Sequence, residues 1–420
     1  MVDGDPVLAR GLCDRVELLL ADGALPAPAT KRLRGAVRDI RATMDTSIVV
    51  GGDAGSASPT IDPMTLFRRI EHADETGSDS ARVAARLDYV ADVLVPGREL
   101  DLAHLLLREI DHLTTNPAEQ ARAATWQQLP DVLLGKAAGA QDAVARLTRM
   151  APDLPGEVAH DVALLDCLVA HQIGRADLPQ LLSRLGRPGS GHLGIDATTV
   201  VARILVARER PGEAQAMLAL APTPVTALDR QLRGLLRGTL EARLGRGDEA
   251  LATLRRTRER ALAEGCRLLL PELITQLIVL EAATDREAAL HDFEDFDQIV
   301  GGGRSVGVED IYRLIARAAI RSAAGEPARA VDQWTAATEL AAGLQHPLLT
   351  ARCHLAAAQC LEQLGRHGEA QVHRSLSGRY FRQGGLPSSP NRRYGLQRLV
   401  PNVNSLLGGG PPAPLAFAGG

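Results

Sequence analysis

Aromatic residues are scarce in this chain, with five Phe, four Tyr and two Trp among 420 residues. A core of this size therefore has to be filled by Leu, Ile, Val and close-packed Ala. The aliphatic and small residues that dominate favour helix, and the β-branched and aromatic runs from which sheets are built are few. Cysteine is scarce as well. Cys13, Cys167, Cys266, Cys353 and Cys360 are odd in number and far apart. They lack the short paired spacings of a zinc site or a secreted disulfide framework, so a reducing, cytoplasmic setting is expected. Neither charge sign is in excess: 47 Lys plus Arg face 51 Asp plus Glu, a net charge of -4. Such a balance offers a phosphate backbone no global attraction, and nucleic acid is not expected as a direct partner. No long apolar run occurs either. The most apolar stretch, Leu268 to Leu280, is broken by Pro271, Glu272 and Gln276, and Asp3 and Asp5 stand where an export leader needs basic residues. Neither a membrane span nor a leader is expected.

The patterns that carry chemistry are missing too. Gly51, Gly52 and Gly55 follow a short apolar burst, Ile48-Val49-Val50, but no lysine follows to reach a terminal phosphate, so the segment reads as a linker. Lys136 reads as a helix-end lysine. His346, His354, His367 and His373 are near one another without a ligand spacing and read as surface or helix-end residues. Asp292, Glu294, Asp295 and Asp297 lack the order of a calcium loop. Gly189-Ser190-Gly191 has no strand before it to form a nucleophile elbow. Cys353 and Cys360, two helical turns apart, share a face and read as small core residues. No catalytic residue, metal site or cofactor site is assigned, and no enzyme is expected.

What the chain does have is a period. Gly245-Arg-Gly-Asp-Glu-Ala250, Gly325-Glu-Pro-Ala-Arg-Ala330 and Gly365-Arg-His-Gly-Glu-Ala370 each place a Gly five residues before an Ala. Arg208-Glu-Arg-Pro-Gly-Glu-Ala214 offers the same junction with its Gly displaced. Extending that anchor gives Ala103, Ala143, Leu178, Ala214, Ala250, Ala289, Ala330 and Ala370, at intervals of 40, 35, 36, 36, 39, 41 and 40. The spacing suits a helix, a turn, a second helix and a loop. The Gly ends the first helix in a left-handed conformation, and an acid or Pro opens the second. Small residues recur twelve positions before the anchor (Ala91, Ala202, Gly238, Ala318, Ala358). Large ones recur four after it (Leu107, Leu147, Leu182, Leu218, Leu254, Phe293, Trp334).

From Ala81 to Gly384 this order of small, Gly, Ala, large and small residues resembles the tetratricopeptide repeat (TPR). Asp131, Asp166, Arg374 and Ser377 depart from it by occupying slots where that family has small or apolar residues. The longer, looser period looks like the TPR-like sensor regions of large LuxR-type bacterial regulators, and the Arg- and Ala-rich composition fits a GC-rich bacterial genome. The resemblance implies an all-α fold, an α-solenoid with a right-handed superhelical path built from about eight helix pairs.

Around that array, residues 1–46 are expected to form an N-terminal helical hairpin whose second helix carries a solvated basic face (Lys31, Arg32, Arg34, Arg38, Arg41). Residues 47–60 read as a flexible linker and 61–384 as the repeat array, with a break near 300–304 at Gly301 to Gly303. Residues 385–420 read as a Gly- and Pro-rich tail without fixed structure. Solenoids use the groove lined by the first helix of each pair. The register puts Arg203, Arg243, Tyr312, Arg352 and Gln359 there as partner-binding candidates, with Leu235, Ile274, Ile315 and Leu355 as apolar ones. The expected function is a scaffold or regulatory adaptor that grips a protein or peptide segment. The alternative is a module sensing a small molecule or signalling peptide, without its own ATPase or DNA-binding domain.

Overall fold

The computed structural model describes residues 63–185, 191, 193–300 and 308–386. The expected N-terminal hairpin, the 47–60 linker, the 301–303 glycines and the tail beyond Leu386 lie outside the described residues. The described chain is all-α, with no strand among the described residues. It divides into two compact units: one takes in Glu99–Thr114 and the described residues up to Val95, the other Pro96–Arg98 and everything from Thr115.

The first unit consists of α1 (Pro63–Thr76), α2 (Asp79–Tyr89), a π-turn (Val90–Leu94) and α3 (Leu100–Leu113). Its core is Leu66, Phe67, Ile70, Val83, Leu87 and Ile110, with Phe67 and Tyr89 rings 6.0 Å apart. Arg86 is buried and paired with Asp74 at 2.9 Å and Glu109 at 2.8 Å, which stitches all three helices together.

Among the described residues, the second unit is a run of seven helix pairs. These are α4 (Pro117–Leu133) with α5 (Ala137–Met150), α6 (Gly156–Ile173) with α7 (Leu178–Leu185), and α8 (Ala197–Ala207) with α9 (Pro211–Leu220). Then come α10 (Ala227–Arg243) with α11 (Gly247–Ala263), α12 (Leu270–Glu281) with α13 (Arg286–Val300), α14 (Val308–Ala323) with α15 (Pro327–Gly343), and α16 (Pro347–Gln363) with α17 (His367–Gln383). Each pair packs within itself and against the next, as a helical repeat does.

The junctions are built as the sequence suggests. Gly245, Gly325 and Gly365 adopt φ of +87°, +72° and +70°. Around Gly245 two bonds, Gly245 N to Ala242 O and Arg246 N to Glu241 O, close a Schellman motif, and the other two junctions repeat it. Seven of the eight anchors, all except Ala143, are fully buried. At the α10–α11 pair a Cβ on Gly238 would meet the Leu254 side chain at 2.5 Å, so the small residue twelve before the anchor faces the large one four after it.

Ala143 is a correction. It is half-buried, whereas Ala140 is buried and stands five residues after Gly135, whose φ is +83°. The physical anchor of that pair is Ala140, with Val144 and Leu147 buried behind it. The polar departures are also accounted for: Asp166 bonds Arg175 at 2.5 Å, Ser377 Oγ donates to Ala351 O at 2.8 Å, and Arg374 pairs with Glu362.

One polar cluster between consecutive pairs sets a pH dependence. Glu281 at the end of α12 is buried, accepts from Arg255 at 2.7 Å, and lies beside Asp292, which Arg258 holds at 2.6 Å. Burial, with the neighbouring Asp292 carboxyl adding to it against Arg255, pushes the Glu281 carboxyl up to about 7 from 4.5. A carboxyl raised on folding binds its proton more tightly in the folded state. Its contribution is present below about 4.5 and lost as pH rises through about 7. Glu281→Gln is expected to flatten the fall in melting temperature across that window, read as the variant-minus-native difference in thermal unfolding against pH. An unchanged slope would discredit the coupling.

Candidate functional site

Position 209 is where one junction breaks the rule. Glu209 stands in the slot that Gly245, Gly325 and Gly365 fill elsewhere, and it still adopts φ +61°. The backbone bonds are those of the other junctions: Glu209 N donates to Val206 O at 3.1 Å and Arg210 N to Leu205 O at 3.0 Å. A side chain in that conformation costs about 1 to 2 kcal/mol. Strain of this kind tends to gather where a site is being shaped.

Two distant arginines converge on the same helix end. Arg243, from the end of α10, donates to Val206 O at 2.6 Å, and Arg352, from α16, donates to Ala207 O at 2.8 Å. Both exploit the negative end of the α8 dipole. One turn earlier on α8, Arg203 pairs with Glu272 of α12 at 2.7 Å, and the Tyr312 hydroxyl of α14 faces the same carboxylate. Thr275 Oγ1 donates to Tyr312 O at 3.4 Å. His171, near the end of α6, lies within electrostatic reach of Arg203, Arg208, Arg352 and His346, the N-cap of α16. Hence the first helices of six consecutive pairs, α6 to α16, contribute to one cluster.

Its electrostatics are those of crowded, poorly compensated positive charge. Burial pulls the Arg243 guanidinium down to about 9, with Arg352 repelling it and Glu209 only partly opposing. Burial lowers Arg352 as well. The same cause holds His346 down at about 4, with Arg352 adding, and pushes His171 well below its ordinary value, so both rings are neutral. Glu209 is raised by burial against the pull of Arg352 and Arg243. The ledger is four guanidiniums, Arg203, Arg208, Arg243 and Arg352, against two carboxylates, Glu209 and Glu272. Arg203 Nη1, Arg208 Nε and Arg352 Nε are buried without a hydrogen-bond partner. Nevertheless Arg203, Arg243, Tyr312, His346 and Arg352 are each only half-buried, the Arg203 side chain keeping 15% of its surface. These groups are closely surrounded yet still touch solvent.

No family model matches the chain, and no curated protein is similar to it at a significant level. The site is therefore read from its geometry alone. Of the five partner-binding candidates, Arg203, Arg243, Tyr312 and Arg352 come together. Gln359, two turns beyond Arg352 on α16, is half-buried and joins none of their interactions. Leu235, Ile274 and Ile315 are corrections to the apolar groove: each is buried in the core, and only Leu355 keeps partial exposure. Glu209, Glu272, Arg208 and His171 are site residues that the sequence reading did not single out. The displaced Gly in Arg208-Glu-Arg-Pro-Gly was the signal for Glu209; nothing local marks the others.

The interior is also narrowed by contacts between pairs far apart in sequence. A Cβ on Gly174, at the end of α6, would land on Gln383 O at the end of α17. Arg208 reaches the Gly384 carbonyl at 3.5 Å, and one on Gly135 would meet Val308 at 3.0 Å and His346 at 3.4 Å. The last pairs thus return against the first three of this unit. A second cleft, of about 350 Å³ between α10 and α11, is also lined by arginines, but Glu264 answers Arg230 and Arg260, Asp229 answers Arg233, and Glu241 answers Arg237. Among the described residues, no helix is long and apolar enough to cross a membrane, and no group of three or more His, Cys, Asp or Glu is placed to hold a metal ion.

Proposed function

We propose that this chain is a non-catalytic regulatory binding module, a right-handed solenoid of TPR-like pairs whose inner face takes up a slender or small ligand. The observation that carries it is the convergence of Arg203, Arg243 and Arg352, with Arg203 Nη1 and Arg352 Nε buried and unpaired, in a cluster that solvent still touches. Buried donors without partners are costly, and a ligand that supplies acceptors relieves that cost. The solenoid path is supported by the sequential packing of pairs and by the buried small residues of the register. Of the two sequence-derived readings, the ligand-sensing one is favoured over a broad scaffold. Arg243 and Arg352, from distant pairs, meet at one helix end instead of spreading along an extended surface, which suits a metabolite or the end of a peptide better than a packed partner helix.

Such a ligand stabilises the folded state by mass action. The test is thermal unfolding of the full chain with the small-molecule and peptide fractions of a bacterial extract, beside Tyr312→Phe and Arg352→Gln. The expected result is a fraction that raises the melting temperature of the native protein and raises it less, or not at all, in Arg352→Gln. Stabilisation by no fraction, or equal stabilisation of every variant, overturns the reading.

A further inference from the structure

We propose that a cleft between α13, α14 and α15 binds a small amphipathic carboxylate, a free acid that lays an aliphatic body on Leu290 and Phe293 and meets Arg286 and Arg317 with its anionic end. The cleft shares no residue with the Arg203 cluster, so this site goes beyond the reading above and stands or falls without it.

The cleft has a volume of about 370 Å³, at the lower end of the range that small-molecule sites occupy. Its floor is apolar and open. In the neighbouring pairs the large register position is closed off, as Leu254 and Trp334, both fully buried. Here Phe293 is only half-buried, and Leu290, three residues before it, keeps 41% of its surface. Phe293 is nevertheless held in place, its ring stacked on that of the buried Phe296 at 6.4 Å. A preformed apolar surface takes up a ligand without first having to be ordered.

The charge around that floor is only partly answered. Arg286, Arg317, Arg321 and Arg329 line the cleft, and Glu326 holds Arg321 at 2.5 Å and Arg329 at 3.2 Å. Arg286 and Arg317 make no ion pair among the described residues. Arg317 lies over the Phe293 ring at 5.2 Å instead, which carries its cation to the edge of the apolar floor. Asp332 also lines the cleft and is exposed, so four guanidiniums stand against two carboxylates, Asp332 and Glu326. The wall holds an unsatisfied amide as well: Gln333 Oε1 is buried without a hydrogen-bond partner. With that amide turned over, its N–H group stands in the same place, and a carboxylate is the acceptor it lacks. An aliphatic acid thus matches the floor, the unpaired guanidiniums and the orphaned amide together.

Octanoate, below its micelle-forming concentration, is the probe, titrated into the full chain by calorimetry with acetate and octylammonium as comparators at matched ionic strength. The expected result is saturable binding of octanoate and none of acetate or octylammonium. Arg317→Met keeps an unbranched stem beside Phe293 and removes the charge, and is expected to bind octanoate about tenfold more weakly. Leu290→Ser, at a position already open to solvent, is expected to weaken it by a similar factor, and Asp332→Asn to tighten it. Arg246→Gln, which removes an equal charge at a distant exposed turn, is expected to leave it unchanged. Unfolding midpoints of each variant separate lost binding from lost structure. Absence of saturable octanoate binding, equal binding of octylammonium, or an affinity unchanged in both Arg317→Met and Leu290→Ser overturns the proposal, as does an equal loss in Arg246→Gln.

Discussion

Gly174→Ala is expected to destabilise the second unit by about 2 to 5 kcal/mol. Two costs add. The φ of +76° penalises any L side chain by about 1 to 2 kcal/mol. The new methyl would also land on the Gln383 carbonyl and lie 2.9 Å from the Cα of Gly384. Both are backbone atoms, with no flexible side chain to swing aside. Gly365→Ala separates the terms: its φ is +70° and nothing lies within 4 Å of the added carbon, so only the conformational cost of about 1 to 2 kcal/mol remains. Urea unfolding midpoints of the two variants, at unchanged slope, decide the matter. Equal losses would mean that the last pair does not close against α6.

Trp334→Ala is expected to cost about 3 to 5 kcal/mol, because it empties the largest fully buried side chain of the core. Trp334 sits four residues after Ala330 on α15. Leu218 holds the same register position after Ala214, yet it is only half-buried, on the short α9. Leu218→Ala is therefore expected to lose no more than about 1 kcal/mol. Comparable losses at the two positions would show that register alone, and not burial, sets the energetics of the array.

The contrast between these two residues separates what was legible in the sequence from what was not. Helix content and the junctions were legible because they rest on local physics: a Gly at a left-handed C-terminus, an acid or Pro at a following N-terminus, and small residues where helices approach. Where two small residues compete, local pattern is ambiguous. Ala143 satisfies the spacing nearly as well as Ala140, and only packing selects the latter. That Arg203, Arg243, Tyr312 and Arg352 share the first helices of their pairs was legible for the same reason; that they meet in one cluster was not.

The sequence by itself determined that this chain is helical and that its helices come in pairs. Tertiary structure alone decided that Arg352 reaches the end of a helix 145 positions earlier. It also decided that Arg243 and Arg352, from two distant pairs, meet at the same helix end. The reason is the range of the forces involved. Helix propensity and capping act over one or two turns, whereas this charge cluster is assembled by the packing of helices from six pairs far apart in sequence.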